Sequence, residues 1–139
     1  MSQRSLYRTA IVLALAMCIG VAVSAQTPAP KTASEAYLAY LAAMKTAKKI
    51  EDVMPFMAAE TLAQIKQTPA AQRPEMFDMI KTMVTSNSNV KVLKETPNAK
   101  GATLSVEGVG PDGKAKLTGT VEMVKEGTAW KVGNESWKG

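Results

Sequence analysis

The chain contains no histidine. That removes the commonest general base and the commonest metal ligand together. Its single cysteine, Cys18, lies in an apolar N-terminal run, so acid–base or nucleophilic chemistry falls to Asp, Glu, Lys, Tyr or Ser. The carboxylates have ordinary structural readings. Asp52 stands in the first turn of a short helical stretch, where an acid favours the helix dipole. Asp112 is a turn residue. Asp78 precedes Lys81 by three positions, a helix-surface pair. Glu107 and Glu122 fall opposite Lys116 and Lys131 on paired strands. None is placed as an acid whose surroundings would poise it for catalysis, and no catalytic residue is expected.

Metal and cofactor sites are not expected either. Seven methionines follow the N-terminal run, and "MPFM" and "MFDMIKTM" hold five of them. A thioether site for a soft ion would normally add His or Cys, so methionine at helical spacing is read as soft core filler. The side chains left to meet a ligand are Tyr37 and Tyr40, one helical turn apart, and Trp130, Asn134 and Ser136, which alternate along the last strand. In an apolar pocket these few groups would orient a small apolar ligand.

The N-terminus is set aside before any fold is considered. Arg4 and Arg8 precede the apolar stretch Ala10–Val23, and "VSAQ" places Val23 and Ala25 at a small-residue cleavage site. Residues 1–25 form a secretory signal peptide by this pattern, and the product is expected to be exported, periplasmic or secreted. The apolar run is shorter than the ~20 residues a spanning helix needs, and no second one follows. Bulky Met17 before Cys18, and the apolar run beyond it, argue against a lipid anchor at Cys18. Residues 26–33 read as a flexible Pro/Ala linker, and residues 34–139 as a single domain. The remaining 15 basic and 12 acidic residues are scattered, with no dense basic face for nucleic acid.

Positioning falls to helices first and strands after. "TASE" from Thr32 is a capping box, opening the Ala-rich helix "SEAYLAYLAAMKTAKK" with Tyr37, Leu41 and Met44 at helical spacing. "IEDVMPFM" is a short helical turn stopped by Pro55, "AAETLAQIKQ" a second helix, and "PEMFDMIKTMVT" a third with Met76, Ile80, Met83 and Val84 on one stripe. From Val90 the period changes to two. Strands begin at Val90, Ala102, Lys114 and Thr128, separated by "TPNAKG", "GPDG" and "EG". This is an α+β domain: N-terminal helices packed on a curved four-stranded antiparallel meander.

Turn chemistry implies a register. Glu126-Gly127 as a two-residue turn sets Lys125 opposite Thr128, Met123 opposite Trp130 and Val121 opposite Val132. "GPDG" sets Val109 opposite Lys114 and Val106 opposite Leu117, and the first hairpin sets Val92 opposite Leu104. One face then carries Leu104, Val106, Leu117, Val121, Met123, Trp130 and Val132, and the other carries Thr, Ser and Glu–Lys pairs. Trp130 and Trp137 are seven apart, so Trp137 is expected on the wet face as a candidate partner contact. Gly119 falls opposite Asn134, where the sheet must bend or something must approach closely.

This order of an Ala-rich helix ("SEAYLAYLAAMKTAKKIED"), helical turns and a meander ending in "VEMVKEGTAWKVGNESW" resembles the nuclear transport factor two-like (cystatin-like) α+β superfamily. The likeness is to its small exported bacterial members without an assigned activity. It spans essentially all of residues 26–139 and is most specific in the last hairpin. It implies a cone-shaped domain in which a curved sheet wraps a long helix and leaves a conical pocket. The superfamily includes ketosteroid isomerases and dehydratases, which place an acid inside the cone, often with His or Tyr. It also includes binding and accessory domains, so the fold does not transfer a function. The leading expectation is an exported non-enzymatic domain binding a small apolar ligand or an envelope protein partner. The alternatives are an isomerase- or dehydratase-type enzyme using Tyr and Asp/Glu in the cone, and a protein–protein module using the outer sheet face at Trp137.

Overall fold

Thr32 starts the first helix as a capping box requires. Its hydroxyl accepts from the Glu35 N–H at 3.1 Å, and Glu35 Oε2 accepts from the Thr32 N–H at 3.3 Å. The computed structural model describes residues 28–139; the signal peptide expected through Ala25, Cys18 and the first two residues of the expected linker lie outside the described residues. Helix α1 runs Ala33–Thr46, stopping three residues short of the sequence reading. Two 3₁₀ turns follow, Ile50–Asp52 and Met54–Phe56, the second with Pro55 in its first turn. Proline suits that position because the first helical N–H groups have no intrahelical acceptor. Helices α2 (Ala59–Gln67) and α3 (Arg73–Thr85) come next. No helix among the described residues is long and apolar enough to cross a membrane.

Four strands complete the chain: β1 (Ser88–Pro97), β2 (Gly101–Val109), β3 (Lys116–Glu126) and β4 (Ala129–Lys138). They form one antiparallel, unclosed meander in sequence order. The α+β arrangement with helices ahead of the strands is as expected. The hairpin registers differ from the sequence reading by two residues. Glu126 pairs with Ala129, so the turn is Gly127-Thr128, with Gly127 at φ +63°. Val109 pairs with Lys116, because Gly110–Ala115 makes a six-residue loop. There Gly110 N–H donates to the Ala115 carbonyl, and Asp112 Oδ1 accepts from the Lys114 and Ala115 N–H groups. Val92 pairs with Val106 rather than Leu104.

A shift of two keeps every side chain on its face. Leu104, Val106, Val121, Met123 and Val132 are therefore buried as expected. The expected Glu122–Lys131 pair does not form, since Lys131 lies opposite Val124 and donates from Nζ to the Pro55 carbonyl at 2.5 Å. Lys116 and Glu107 do pair, at 2.9 Å, diagonally across β2 and β3.

Three register shifts interrupt the strands, one in β4 and two in β1, the first of the β1 pair between Ser88 and Lys91. In β4, Met123 pairs with Val132 but Glu122 pairs with Asn134, leaving Gly133 as the extra residue. In β1, Val92 pairs with Val106 and Lys94 with Ser105, leaving Leu93 over. An extra residue in one strand reverses the parity of everything beyond it. The core lies between the sheet and α1, where Tyr37, Met44, Val53, Leu104, Val106, Val121 and Met123 are the largest fully buried side chains. The α3 stripe packs against the core at Met76, Ile80 and Val84 as expected, and Phe77 is buried beside them, but Met83 faces solvent.

The two sheet edges are treated differently. On the β4 side, Met57 bridges Val132, Ala58 N–H donates to the Val132 carbonyl at 2.9 Å, and the Thr61 hydroxyl donates to the Gly133 carbonyl at 3.2 Å. The chain itself covers that edge at Val132 and Gly133. No strand lies beyond β1 among the described residues.

Candidate functional site

The β4 bulge builds a polar group inside the domain. Beyond Gly133, Glu135 stands opposite Val121 and Trp137 opposite Gly119, both on the core side. Glu135 Oε1 accepts from the Tyr37 hydroxyl at 2.9 Å and from Trp137 Nε1 at 2.5 Å. Capped α1 carries Tyr37 and Tyr40 on its buried face, their ring centres 6.4 Å apart. Burial raises the Tyr37 hydroxyl far above the ordinary tyrosine range, and the Glu135 charge and hydrogen bond add to it. Burial also raises Tyr40, again with help from Glu135. Both phenols therefore stay neutral, while the carboxylate collects two hydrogen bonds on one oxygen, from Tyr37 and Trp137.

Trp137 thus lies on the core side and packs against the hydrophobic cluster, contrary to the wet face expected for it. Asn134 and Ser136, expected inside, stand opposite Glu122 and Thr120 and are exposed. The reason is the bulge: seven residues with one bulged out leave Trp130 and Trp137 on the same face. Trp130 is half-buried at the sheet's end, donating from Nε1 to the Lys31 carbonyl at 3.2 Å, with Lys125 Nζ 4.8 Å from its ring centre. Gly119 faces Trp137 rather than Asn134. A Cβ there would come within 2.9 Å of Trp137 Cδ2 and Cε3 and 2.8 Å of the Ser136 carbonyl. The close approach expected at this glycine is the indole ring.

A second inward carboxylate follows from the β1 bulge. Glu95, opposite Leu104, reaches the start of α1. It accepts from the Ser34 hydroxyl at 2.5 Å, the Ser34 N–H at 3.0 Å and the Ala33 N–H at 3.4 Å. Partial burial raises its pKa, but these hydrogen bonds outweigh that and hold it below the usual carboxylate range. It ties the helix N-terminus to the sheet, where an anion complements the dipole. Neither Glu95 nor Glu135 stood out in the sequence, because strict alternation sends Glu135 outward. The available signal was Gly133, an interior-strand glycine that marks a bulge.

The remaining acids have structural roles. Asp52 Oδ2 accepts from the Lys48 N–H at 2.9 Å and the Lys49 N–H at 3.2 Å, and these bonds, Lys48 first, lower its pKa. Asp112 is lowered by the Ala115 and Lys114 N–H groups. Lys81 donates to the Ala47 carbonyl at 2.5 Å instead of pairing with Asp78. Among the described residues no three His, Cys, Asp or Glu side chains converge to hold a metal ion.

Open space lies at the periphery. A cleft of 520 Å³ runs between α2 and the outer face of β3 and β4, lined by Glu60, Glu122, Glu126, Lys100 and Asn134 among others. Another, of 380 Å³, lies where α1, α3 and β1 meet. Leu38, Leu41, Ala42, Val84 and Val90 form its apolar part, with Lys45 among its polar groups. Of the expected ligand-binding residues Tyr37, Tyr40, Trp130, Asn134 and Ser136, only Asn134 lines one of the five clefts described, on the outer side. Tyr37 and Tyr40 fill the interior where the resemblance implies a pocket.

The chain matches no protein-family model, and no curated protein or solved structure matches it.

Proposed function

We propose that this chain is an exported, non-catalytic domain whose role is to dock an envelope protein partner on the side formed by α1, α3 and β1. One observation carries the reading. The exposed large hydrophobic side chains among the described residues are Leu38 (45%), Met79 (60%), Met83 (64%) and Leu93 (58%), and all fall on those three elements. Scattered single apolar residues on a surface need no explanation, but a concentration on contacting elements marks an interaction side. Exposed methionines on α3 supply a soft surface that adapts to a partner. The non-catalytic reading is supported by the Tyr37–Glu135–Trp137 group, which spends its hydrogen bonds internally and lines none of the clefts described.

The test is a photo-crosslinking amino acid placed at Met83, at Leu38 and, as control, at Gln64 on α2, with the protein produced in the envelope of its own host. Adducts at Met83 and Leu38, absent at Gln64, with the Leu38 adduct lost in Met79→Glu/Met83→Glu, are the expected result. Equal adducts at all three positions, or none at Met83 and Leu38, would overturn it. A second reading, a small apolar ligand, is favoured by the apolar part of the 380 Å³ cleft; native mass spectrometry of the same material would reveal that ligand as a fixed added mass.

A further inference from the structure

We infer that the free edge of β1 takes up an extended partner segment whose side chains alternate acidic and apolar, as a fifth strand of the sheet. This rests on the docking reading above and names the partner's chemistry and mode of binding. The first ground is the asymmetry of the edges. The chain covers the β4 edge at Val132 and Gly133 with Met57, Ala58 and Thr61. On the β1 side, no main-chain hydrogen bond from outside the sheet reaches Val90–Glu95 among the described residues. Unpaired strand-edge amides and carbonyls are a template for another strand.

The second ground is what borders that edge. A 540 Å³ groove is lined by Ser34, Leu38 and Val90–Glu95. Leu38 of α1 stands on its helix side, where Val90 and Val92 turn toward the core. Lys91 and Lys94 stand on the opposite face, across from Glu107 and Ser105. Successive side chains of an added strand point to opposite faces. One set would meet Leu38, Val90 and Val92, and the other would meet Lys91 and Lys94.

The third ground is charge. No carboxylate lies within ion-pair distance of Lys91 or Lys94 among the described residues. The two nearby acids are committed elsewhere: Glu95 to the start of α1, and Glu107 to Lys116 at 2.9 Å. Lysines and a bulge on an edge strand disfavour pairing with a like edge. A second copy would bring its own Lys91 and Lys94 to the same row, whereas an acidic segment is complementary, opposite charges across a sheet being favourable and like charges unfavourable.

The test uses an eight-residue peptide of alternating glutamate and valine. Its twins are one with lysine for glutamate, and one with alternate amides N-methylated so that one edge cannot pair. Anisotropy measures binding, and amide exchange locates it. The acidic peptide should bind, slow exchange in Val90–Glu95, and weaken as salt is raised. The methylated and basic twins should bind at least about tenfold more weakly. Lys91→Glu/Lys94→Glu should reverse the preference toward the basic peptide. Equal binding of the methylated twin, no reversal, or protection on another element would overturn the inference. So would no binding of the acidic peptide at millimolar concentration, or edge amides already protected in the peptide-free protein. Protection that grows with protein concentration would identify the occupant as a second copy; protection in dilute protein would identify the chain's own N-terminal residues. Crosslinks at Met83 with none from a crosslinker at Leu93 would overturn the strand-addition mode and leave the docking reading standing.

Discussion

Alkali should unfold this protein through its two buried tyrosines. In the unfolded chain a tyrosine loses its proton near pH 10. Tyr37 and Tyr40, 0% and 5% exposed, hold theirs well above that because of burial, with the Glu135 charge opposing a phenolate. Below pH 10 both states carry both protons, and stability does not depend on these groups. Above it the unfolded state carries fewer protons, so stability falls as pH rises. Each tyrosine contributes about 1.4 kcal/mol per pH unit, hence about 2.7 kcal/mol per unit for the pair. By pH 11.5 the loss relative to pH 8 is about 4 kcal/mol, a large share of the ~5–15 kcal/mol typical of a domain. Urea unfolding followed by tryptophan fluorescence at steps from pH 8 to 11.5 measures it. Tyr37→Phe should halve the slope to about 1.4 kcal/mol per unit. It should also cost about 1.5–3 kcal/mol at pH 8, since Glu135 loses a donor. An unfolding midpoint flat from pH 9 to 11.5, or a slope unchanged in Tyr37→Phe, would refute the reasoning. So would tyrosinate absorbance of Tyr37 and Tyr40 appearing before the fold is lost.

Gly119→Ala should cost about 1–3 kcal/mol in urea unfolding, because the new methyl meets the Trp137 ring and the Ser136 carbonyl; in a Trp137→Ala background the cost should shrink. Deleting Gly133 should remove the bulge and send Glu135 and Trp137 outward. Circular dichroism should report loss of the native fold, whereas Gly133→Ala, with contacts at 3.1 and 3.2 Å, should cost only about 1 kcal/mol. Glu95 is held below the ordinary carboxylate range by its α1 donors. Its contribution is therefore present above the unfolded value near pH 4.3 and lost as pH falls through the lower folded value. Glu95→Gln should flatten acid destabilisation below about pH 4, measured by urea midpoints from pH 2.5 to 6.

The fold was legible in the sequence wherever a local pattern has a single physical reading. The capping box at Thr32, the switch of period near Val90, and the turn glycines gave the helices, the meander and its buried face. The registers were misjudged by two because turn length depends on which backbone groups close the loop. Asp112 folding back onto the Lys114 and Ala115 amides lengthens the second loop in a way composition does not announce. The interior polar group was not legible from strict alternation. A single extra residue at Gly133 reverses the faces of all that follows, so Trp137 and Glu135 are inside while Asn134 and Ser136 are outside. The α3 stripe erred by the hundred-degree step between Met83 and Val84: both satisfy helical spacing, and only the packing against α1 decides which turns inward.

A sheet with two open borders can add neighbours without limit, each new strand offering its own far border to the next. Here one border is met at Val132 by Met57 and Ala58. Whatever joins at β1 therefore adds to a sheet whose far border is interrupted at mid-strand, and a further strand could not run the full length of that border without displacing Met57 and Ala58.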